Sequence, residues 1–185
     1  MAGLAVRAIG GPTPAPGTVR VCDITEDSRT VVPGSIFIAR AGLKADGKAF
    51  TLSAAQAGAS AIVTDDAAMP SPDGFALPVL YAEDIAAVAG AMAERFYGNA
   101  SRLLALAGVT GTNGKSTVTY LIWQLLNRSR IRCGLIGTVV VDDGAEVAAS
   151  TMTTPPAIEL SRSLAMMVEA GCKAAALEIS SHALD

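Results

Sequence analysis

The residues best suited to chemistry lie in one short stretch, GVTGTNGKST at positions 108–117. It combines three glycines, a lysine and several hydroxyl side chains, and it follows an apolar segment at 103–110. Glycines let the backbone curl so that several N–H groups point at one anion, and the start of a following helix adds partial positive charge. Lys115 can reach terminal phosphates, and Ser116 stands where a hydroxyl usually binds Mg²⁺. The stretch therefore predicts a phosphate-binding loop.

This loop departs from the general pattern G-x-x-x-x-G-K-[ST], because Val109 stands five residues before Gly114 where that pattern has glycine. One interpretation is a glycine-rich turn that holds a lysine by chance. The order of apolar strand, loop and amphipathic helix favours a phosphate loop, since a phosphate loop requires that context. The residues predicted to bind the phosphates are Gly111, Thr112, Asn113, Gly114, Lys115, Ser116 and Thr117.

A carboxylate suited to metal binding follows the apolar run 174–177, at Glu178. The carboxyl ends of strands are where open α/β sheets place their ligands, and a carboxylate offers Mg²⁺ a hard oxygen. The other interpretation is a buried glutamate paired with a lysine. The functional interpretation predicts that Ser116 and Glu178 are ligands of one Mg²⁺ ion, together with nucleotide phosphates.

Two adjacent threonines, Thr153 and Thr154, precede Pro155 and Pro156 at the start of a predicted helix. Proline suits the first helical turn, and Thr154 could be the N-cap, which is worth about 1 kcal/mol. The same geometry would also suit a ligand. Free N–H groups and two hydroxyls at a helix start could bind a diphosphate or a carboxylate.

The elements that must position these residues are those of an α/β protein. The chain has 185 residues, of which 51% are apolar and only 4% aromatic, a mix that favours close helix–sheet packing. With a net charge of −3 and no basic run, it lacks the footprint of a nucleic-acid-binding protein. Three scattered cysteines indicate reduced thiols in the cytoplasm, and no segment is long and apolar enough to insert into a membrane.

Strands and helices alternate along the sequence, with one plausible linker near residues 97–101. This predicts a small N-terminal α/β domain at 1–100, followed at 101–185 by the start of a P-loop, Rossmann-like ATPase domain with a mostly parallel sheet. Strands are predicted at 19–24, 36–40, 60–64, 78–81, 103–110, 133–140 and 174–180. Helices are predicted at 48–57, 83–96, 115–127 and 156–170, with a hairpin turn at 142–146.

Four stretches, taken together, resemble the Mur ligase family. GTNGKS at 111–116 is similar to the ATP loop of Mur ligases and their folylpolyglutamate synthetase relatives. Residues 27–50 resemble the N-terminal uridine-nucleotide domain shared by the third- and fourth-step Mur ligases. TTPPAIEL at 153–160 and EISSHALD at 178–185 resemble the third-step branch, which adds a diamino acid. The similarity extends from about residue 20 to the end of the chain.

The resemblance implies an ATP-dependent amide-bond ligase of peptidoglycan precursor synthesis. In that reaction ATP phosphorylates the terminal carboxylate of UDP-N-acetylmuramoyl-L-alanyl-D-glutamate, and the amine of meso-diaminopimelate or L-lysine then displaces the phosphate. Since the attacking carboxylate and the γ-phosphate are both anionic, Lys115, Mg²⁺ and the loop N–H groups must offset their repulsion. Lys115 and Glu178 are therefore the expected catalytic residues, and the family suggests His182 as a further candidate metal ligand.

The resemblance also assigns contacts with the UDP substrate. For Ser28, spacing alone favours an ordinary Asx-type turn in which Arg29 pairs with a carboxylate, whereas the resemblance favours contact with uridine. Lys48 stands where the family often has histidine, and Met152 stands where it often has asparagine. The residues expected to bind the UDP substrate are Glu26, Ser28, Leu43, Lys44, Ala45, Thr153, Thr154 and Ser180.

Two other functions are compatible with parts of this pattern. A fourth-step, D-alanyl-D-alanine-adding Mur ligase shares the region 27–50, although TTP at 153–155 and EISSH at 178–182 argue against it. A non-catalytic nucleotide-binding module would keep both sites without turnover. The resemblance further implies that the rest of the ATPase domain and an amino-acid-binding domain lie outside this chain. We therefore expect a fragment that ligates nothing alone and leaves a sheet edge unpaired.

Overall fold

Short apolar segments alternate with helices and form two five-stranded sheets, one in each of two compact units, Met1–Met92 and Ala93–Asp185. The computed structural model describes residues 5–12, 20–42, 46–150 and 152–180. Both sheets are mixed but mostly parallel, as the α/β prediction requires. No helix in these ranges is long and apolar enough to cross a membrane.

The first sheet has the strand order β1-β5-β4-β3-β2, in which only β1 is antiparallel to its neighbour. Phe37, Ile62 and Val79 lie in its core and are inaccessible to solvent. The elements of this part of the chain are β1 (Val6–Gly10), β2 (Asp23–Thr25), β3 (Ser35–Ala39), a 3-10 helix (Gly47–Phe50), α1 (Thr51–Gln56), β4 (Ala61–Thr64), β5 (Val79–Ala82) and α2 (Ile85–Phe96).

The second sheet has the order β6-β10-β7-β8-β9, with three parallel strands followed by an antiparallel hairpin. Among the described residues β6 is an edge strand, and Leu106 on it is 44% exposed, which matches the expected open edge. Its elements are a 3-10 helix (Ala100–Arg102), β6 (Ala105–Val109), α3 (Lys115–Arg128), β7 (Cys133–Ile136), β8 (Val140–Asp142), β9 (Val147–Ala149), α4 (Ala157–Glu169) and β10 (Ala174–Glu178).

Side-chain alternation along β10 determines which helix each residue faces. Ala175 and Leu177 belong to the cluster that contains Leu164 and Met167 of α4. Ala174 and Ala176 belong to the opposite cluster, with Ile122, Trp123 and Leu126 of α3 packed against it. Because successive side chains of a strand alternate between faces, the next residue in the second set is Glu178. The strand therefore directs this carboxylate toward the phosphate-loop helix.

Two predicted strands differ from the structure. The segment 133–140 is not one strand, because the chain turns after Ile136 and returns as β8, with Gly137 N donating to Val140 O at 3.1 Å. The prediction took a continuous apolar run as one strand, although Gly137 permits the reversal. The strand predicted at 19–24 is shorter, at Asp23–Thr25, and β1 was missed because Val6–Gly10 is brief and adjoins glycine and proline.

Candidate functional site

The predicted phosphate loop follows β6 and curls at two glycines whose φ angles are positive, 141° at Gly111 and 78° at Gly114. Residues that carry a Cβ atom rarely adopt positive φ angles, so these positions suit glycine. Gly114 is the N-cap of α3, and no side chain caps the helix. The first N–H groups of α3 therefore have no intrahelical partner and remain available to an anion. Lys115 Nζ donates to Gly111 O at 2.8 Å, which holds the ammonium group at the loop.

Strand register brings Glu178 to this loop. Glu178 pairs with Val109, the last residue of β6, and Ile179 N donates to Val109 O at 2.9 Å. Ser116 Oγ donates to Glu178 Oε2 at 2.9 Å, and the glutamate is only 3% exposed. The two residues predicted to share a metal ion are therefore in direct contact.

Glu178 is also held by Thr138, a residue that the sequence interpretation missed. Thr138 N donates to Oε1 at 2.9 Å and Thr138 Oγ1 donates to Oε2 at 3.0 Å. None of the ion pairs among the described residues involves Glu178, so the alternative of a lysine-paired glutamate finds no support there. Treating 133–140 as one strand hid Thr138; the signal would have been the Gly-Thr pair directly after β7, whose carboxyl end adjoins that of β10.

Gly137 supplies the space for this arrangement. A Cβ atom at position 137 would lie 2.6 Å from Glu178 Oε1 and 3.5 Å from Val140 O. The first distance is shorter than any normal contact, so a larger residue would displace the carboxylate from the Thr138 amide. Glycine at this turn is therefore required by the glutamate rather than by an unusual backbone angle.

The oxygens of Ser116 and Glu178 fit a Mg²⁺ ion. Their separation of 2.9 Å equals the edge of an octahedron with metal–oxygen distances of 2.0–2.1 Å, about 2.9 Å. Within the described residues no group of three or more His, Cys, Asp or Glu side chains could hold a metal. Two protein ligands would be enough for Mg²⁺, because this ion usually keeps waters and substrate phosphates around one or two protein ligands.

Thr154, which lies just before α4, connects this segment to the end of β10. Thr154 Oγ1 donates to Glu178 O at 2.9 Å and accepts from Ser180 N at 3.0 Å. The prediction that Thr154 is the N-cap of α4 is wrong: the N-cap is Pro156, without a side-chain hydrogen bond. The Thr154 hydroxyl is already bound to β10, and its single proton is used there.

Thr153 and Ser180 complete this group of residues. Thr153 Oγ1 lies 3.1 Å from Thr138 Oγ1, so the predicted substrate threonines and the predicted metal ligand form one hydrogen-bonded network. Ser180 joins it through its backbone N–H. Met152, where the family often has asparagine, is 47% exposed.

An open pocket of about 520 Å³ lies beside Glu178 in the second unit. Its lining includes Ser116 and Thr117, Tyr120 and Leu121 of α3, and Gly137, Val139 and Val140 of the turn. The predicted metal ligands thus border an open and mostly apolar space.

In the first unit, Glu26 and Ser28, two of the residues predicted to contact uridine, belong to a segment with two ion pairs. Arg40 Nη2 lies 2.9 Å from Glu26 Oε2, and Arg29 Nη2 lies 2.6 Å from Asp27 Oδ2. Hydrogen bonds from Arg29 lower the pKa of Asp27 to about 2. The Asx-type turn with a paired Arg29 is thus present around Ser28, and uridine contact by Glu26 and Ser28 stays a prediction.

Four predicted site residues, Leu43, Lys44, Ala45 and His182, lie outside the described residues. Next to the first three, Lys48 forms an ion pair with Asp65, with 2.7 Å between Nζ and Oδ1. This pair raises the pKa of Lys48. The position where the family often has histidine therefore carries a lysine that connects the 3-10 helix to the end of β4.

Comparison with known protein families gives two matches. The family described as "Mur ligase family, catalytic domain" matches residues 21–97, and "Mur ligase middle domain" matches residues 109–185. Among curated relatives, the UDP-N-acetylmuramoyl-L-alanyl-D-glutamate--2,6-diaminopimelate ligase of Chlorobium phaeobacteroides is 41% identical over 179 residues, which cover 97% of this chain and 34% of the relative. The equally named protein of Streptomyces coelicolor is 40% identical over 168 residues, covering 91% and 33%.

Solved structures show the same relationship. A structure of UDP-N-acetylmuramoyl-L-alanyl-D-glutamate--2,6-diaminopimelate ligase matches with a TM-score of 0.71 and 29% identity, covering 89% of this chain and 33% of that one. MurF ligase of Thermotoga maritima, solved in complex with ADP, matches with a TM-score of 0.57 and 20% identity, covering 88% and 32%. The second match shows the fold alone. This chain spans about a third of the length of the relatives that it matches.

Proposed function

Since this chain belongs to the Mur ligase family, we propose that it carries the ATP-phosphate and Mg²⁺ site of a ligase that adds a diamino acid to UDP-N-acetylmuramoyl-L-alanyl-D-glutamate. The relatives' names specify 2,6-diaminopimelate as the diamino acid. The observation that carries the proposal is the contact between Ser116 of the phosphate loop and the buried Glu178 carboxylate. It places a hard-oxygen pair beside the loop that would hold the phosphates.

The reaction would proceed in two steps. A substrate carboxylate oxygen attacks the γ-phosphorus of ATP, the bond to the β–γ bridging oxygen breaks, and an acyl phosphate and ADP result. The amine of the diamino acid then attacks the acyl carbon and expels phosphate, which leaves an amide and releases a proton. Lys115 and the N–H groups at the start of α3 bind and orient the phosphate oxygens during the first step.

Ser116 and Glu178 would hold Mg²⁺, which supplies charge neutralisation and Lewis acidity at the phosphate oxygens. The protein's own contribution is to keep this oxygen pair in place before the nucleotide binds. Burial of Glu178 and the three hydrogen bonds that its carboxylate accepts achieve that. Because these oxygens are already in place, they need to move little when the ion and the nucleotide bind.

Substrate binding is proposed to involve Glu26 and Ser28 in the first unit, and Thr153, Thr154 and Ser180 in the second. The network described above supports a positional role for the threonines, because the Thr154 hydroxyl is bound to Glu178 O and Ser180 N. The backbone N–H groups at the uncapped start of α4 are the donors best placed for an anionic group.

The proposal is tested by equilibrium binding and by turnover, both with the 185-residue chain. We expect Mg²⁺-dependent binding of ATP, binding of the UDP-dipeptide, and no phosphate release when ATP, Mg²⁺, UDP-dipeptide and 2,6-diaminopimelate are combined. Failure to bind either ligand would contradict the proposed function. Phosphate release that needs all components would contradict only the prediction that the chain is inactive alone, and it would exclude a non-catalytic nucleotide-binding module.

A fourth-step ligase is distinguished by its substrate, the UDP-tripeptide. We expect the chain to prefer the UDP-dipeptide, because the 41% and 40% identical relatives carry the third-step name. Titration of the two UDP-peptides in parallel measures this preference directly, and tighter binding of the tripeptide would favour the fourth step.

A further inference from the structure

We propose that Thr138 is a positioning residue for the metal ligand Glu178, an inference that rests on the proposed function. Thr138 contacts both oxygens of the carboxylate, with its amide at 2.9 Å from Oε1 and its hydroxyl at 3.0 Å from Oε2. It fixes the plane of the carboxylate so that Oε2 meets Ser116 Oγ. Neither composition nor the family motifs single out this residue.

The need for such a residue follows from the freedom of a glutamate side chain. The terminal torsion of glutamate is broad and has no sharp minimum, so a carboxylate held at one oxygen could rotate. Hydrogen bonds from one residue to both oxygens remove that rotation. Gly137 makes room for this arrangement, because a Cβ atom at that position would lie only 2.6 Å from Oε1.

The number of available protons limits which hydrogen bonds Thr138 can donate at one time. A hydroxyl carries one proton, and an ionised carboxylate only accepts; metal binding requires the ionised form. Thr138 Oγ1 can donate to Glu178 Oε2 at 3.0 Å or to Thr153 Oγ1 at 3.1 Å, but its one proton serves a single acceptor at a time. The ionised carboxylate is the stronger acceptor of the two, so Thr138 donates to Glu178 when the glutamate is charged.

Thr138 itself is exposed, and the hydrophobic clusters of the second unit do not include it. Thr138 contacts Glu178 through its hydroxyl and its backbone amide. Removal of the hydroxyl should therefore alter the carboxylate and leave the fold intact. This separates a positioning role from a packing role.

The experiment compares Thr138→Val, which keeps the shape but loses the hydroxyl, with Thr138→Ser, which keeps the hydroxyl. ATP is titrated into the 185-residue chain by calorimetry, with Mg²⁺ and with a chelator. A hydrogen bond to a charged group is strong enough that its loss should weaken Mg²⁺-dependent ATP binding about tenfold or more. Thr138→Ser should stay within about twofold of wild type, and metal-free ATP binding should be equal in all three proteins.

A second readout needs no ligand. In urea unfolding, Thr138→Val should shift the midpoint in the wild-type background, and this shift should nearly disappear in a Glu178→Met background, because contacting residues are not additive. If valine perturbs the turn, Thr138→Ala provides a second variant without the hydroxyl, and it is measured by calorimetry and by urea unfolding in the same way. Equal shifts in both backgrounds would overturn the inference.

The outcomes separate the inference from the proposed function. Wild-type affinity for Mg²⁺-ATP in Thr138→Val would overturn the positioning role and leave the proposed function standing. Absence of Mg²⁺-dependent ATP binding by the wild-type chain would overturn the proposed function, and the role of Thr138 toward a metal with it.

Discussion

Ser116 and Glu178 are 62 residues apart in the sequence, and their side chains meet with 2.9 Å between Oγ and Oε2. Parallel pairing of β10 with β6 aligns Glu178 with Val109, the residue after which the phosphate loop begins. Alternation along β10 then turns the carboxylate toward α3, on whose first turn Ser116 lies. Register and side-chain alternation together thus bring the two predicted metal ligands into contact.

Substitution of Gly137 by alanine should displace the Glu178 carboxylate, because the new Cβ would lie 2.6 Å from Oε1. We expect Mg²⁺-dependent ATP affinity to fall at least tenfold while metal-free ATP binding is retained, since the loop itself is untouched. Calorimetry with and without Mg²⁺ measures both. Gly74→Ala is a control that differs in cause: alanine is strained there by the positive φ, but the added Cβ meets no atom within 4 Å, so only stability should change. Unchanged Mg²⁺ dependence in Gly137→Ala would show that the carboxylate tolerates the displacement.

Replacement of Thr154 by valine should destabilise the chain by about 1–3 kcal/mol, because it leaves Glu178 O and Ser180 N without their hydrogen-bond partner. Thr154→Ser keeps the hydroxyl and should lose less than half as much. Urea unfolding monitored by circular dichroism gives both values. If valine and serine variants unfold at the same midpoint as wild type, the threonine is not the link between α4 and β10.

The Lys48–Asp65 ion pair should make stability depend on alkaline pH. The pair raises the pKa of Lys48 above its ordinary value of 10.5 in the folded state, so its contribution is complete below 10.5 and is lost as the pH rises through the folded pKa. Both side chains are 30% exposed, which limits the contribution to about 1 kcal/mol. The unfolding free energies of wild type and Lys48→Met should therefore differ at neutral pH and converge at high pH. A constant difference across that range would contradict the electrostatic origin.

Thiol labelling should distinguish the three cysteines. Cys22 is exposed, whereas Cys133 and Cys172 are buried and free. Burial raises the pKa of Cys133 to about 11 and also raises the pKa of Cys172, which leaves little of the reactive thiolate near neutral pH. Native protein should thus release one equivalent of thionitrobenzoate from Ellman's reagent, and Cys22→Ser should release almost none. Rapid reaction of a second thiol in the native state would show that the α/β core opens.

The sequence was sufficient for the α/β class, for a glycine-rich turn at residues 111–114 and for a carboxylate at the end of β10, because each depends on local patterns; binding of phosphate and metal by these residues stays a prediction. Apolar runs identify β6 and β10, glycines identify the loop, and a charge directly after an apolar strand identifies the carboxylate. Thr138 could not be found in this way. Its role depends on where β7 ends, and the apolar residues beyond Gly137 conceal that end.

The error at Thr154 has a similar cause. A threonine before two prolines is a reasonable N-cap by local rules, but the nearby end of β10 offers Glu178 O and Ser180 N as competing partners. Such a tertiary contact has no signature at the position itself. The ion pair between Glu26 and Arg40 could not be predicted from local sequence either, since it joins positions 14 residues apart.

The proposed site depends most directly on Glu178 as a ligand of nucleotide-bound Mg²⁺, and Glu178→Gln tests this role. ATP is titrated into wild type, Glu178→Gln and the exposed control Glu146→Gln, each with Mg²⁺ and with a chelator. We predict that Mg²⁺ strengthens ATP binding in wild type and Glu146→Gln by the same factor, and that this strengthening is lost in Glu178→Gln while metal-free binding remains. A Glu178→Gln chain that keeps the full effect of Mg²⁺ would contradict the central claim.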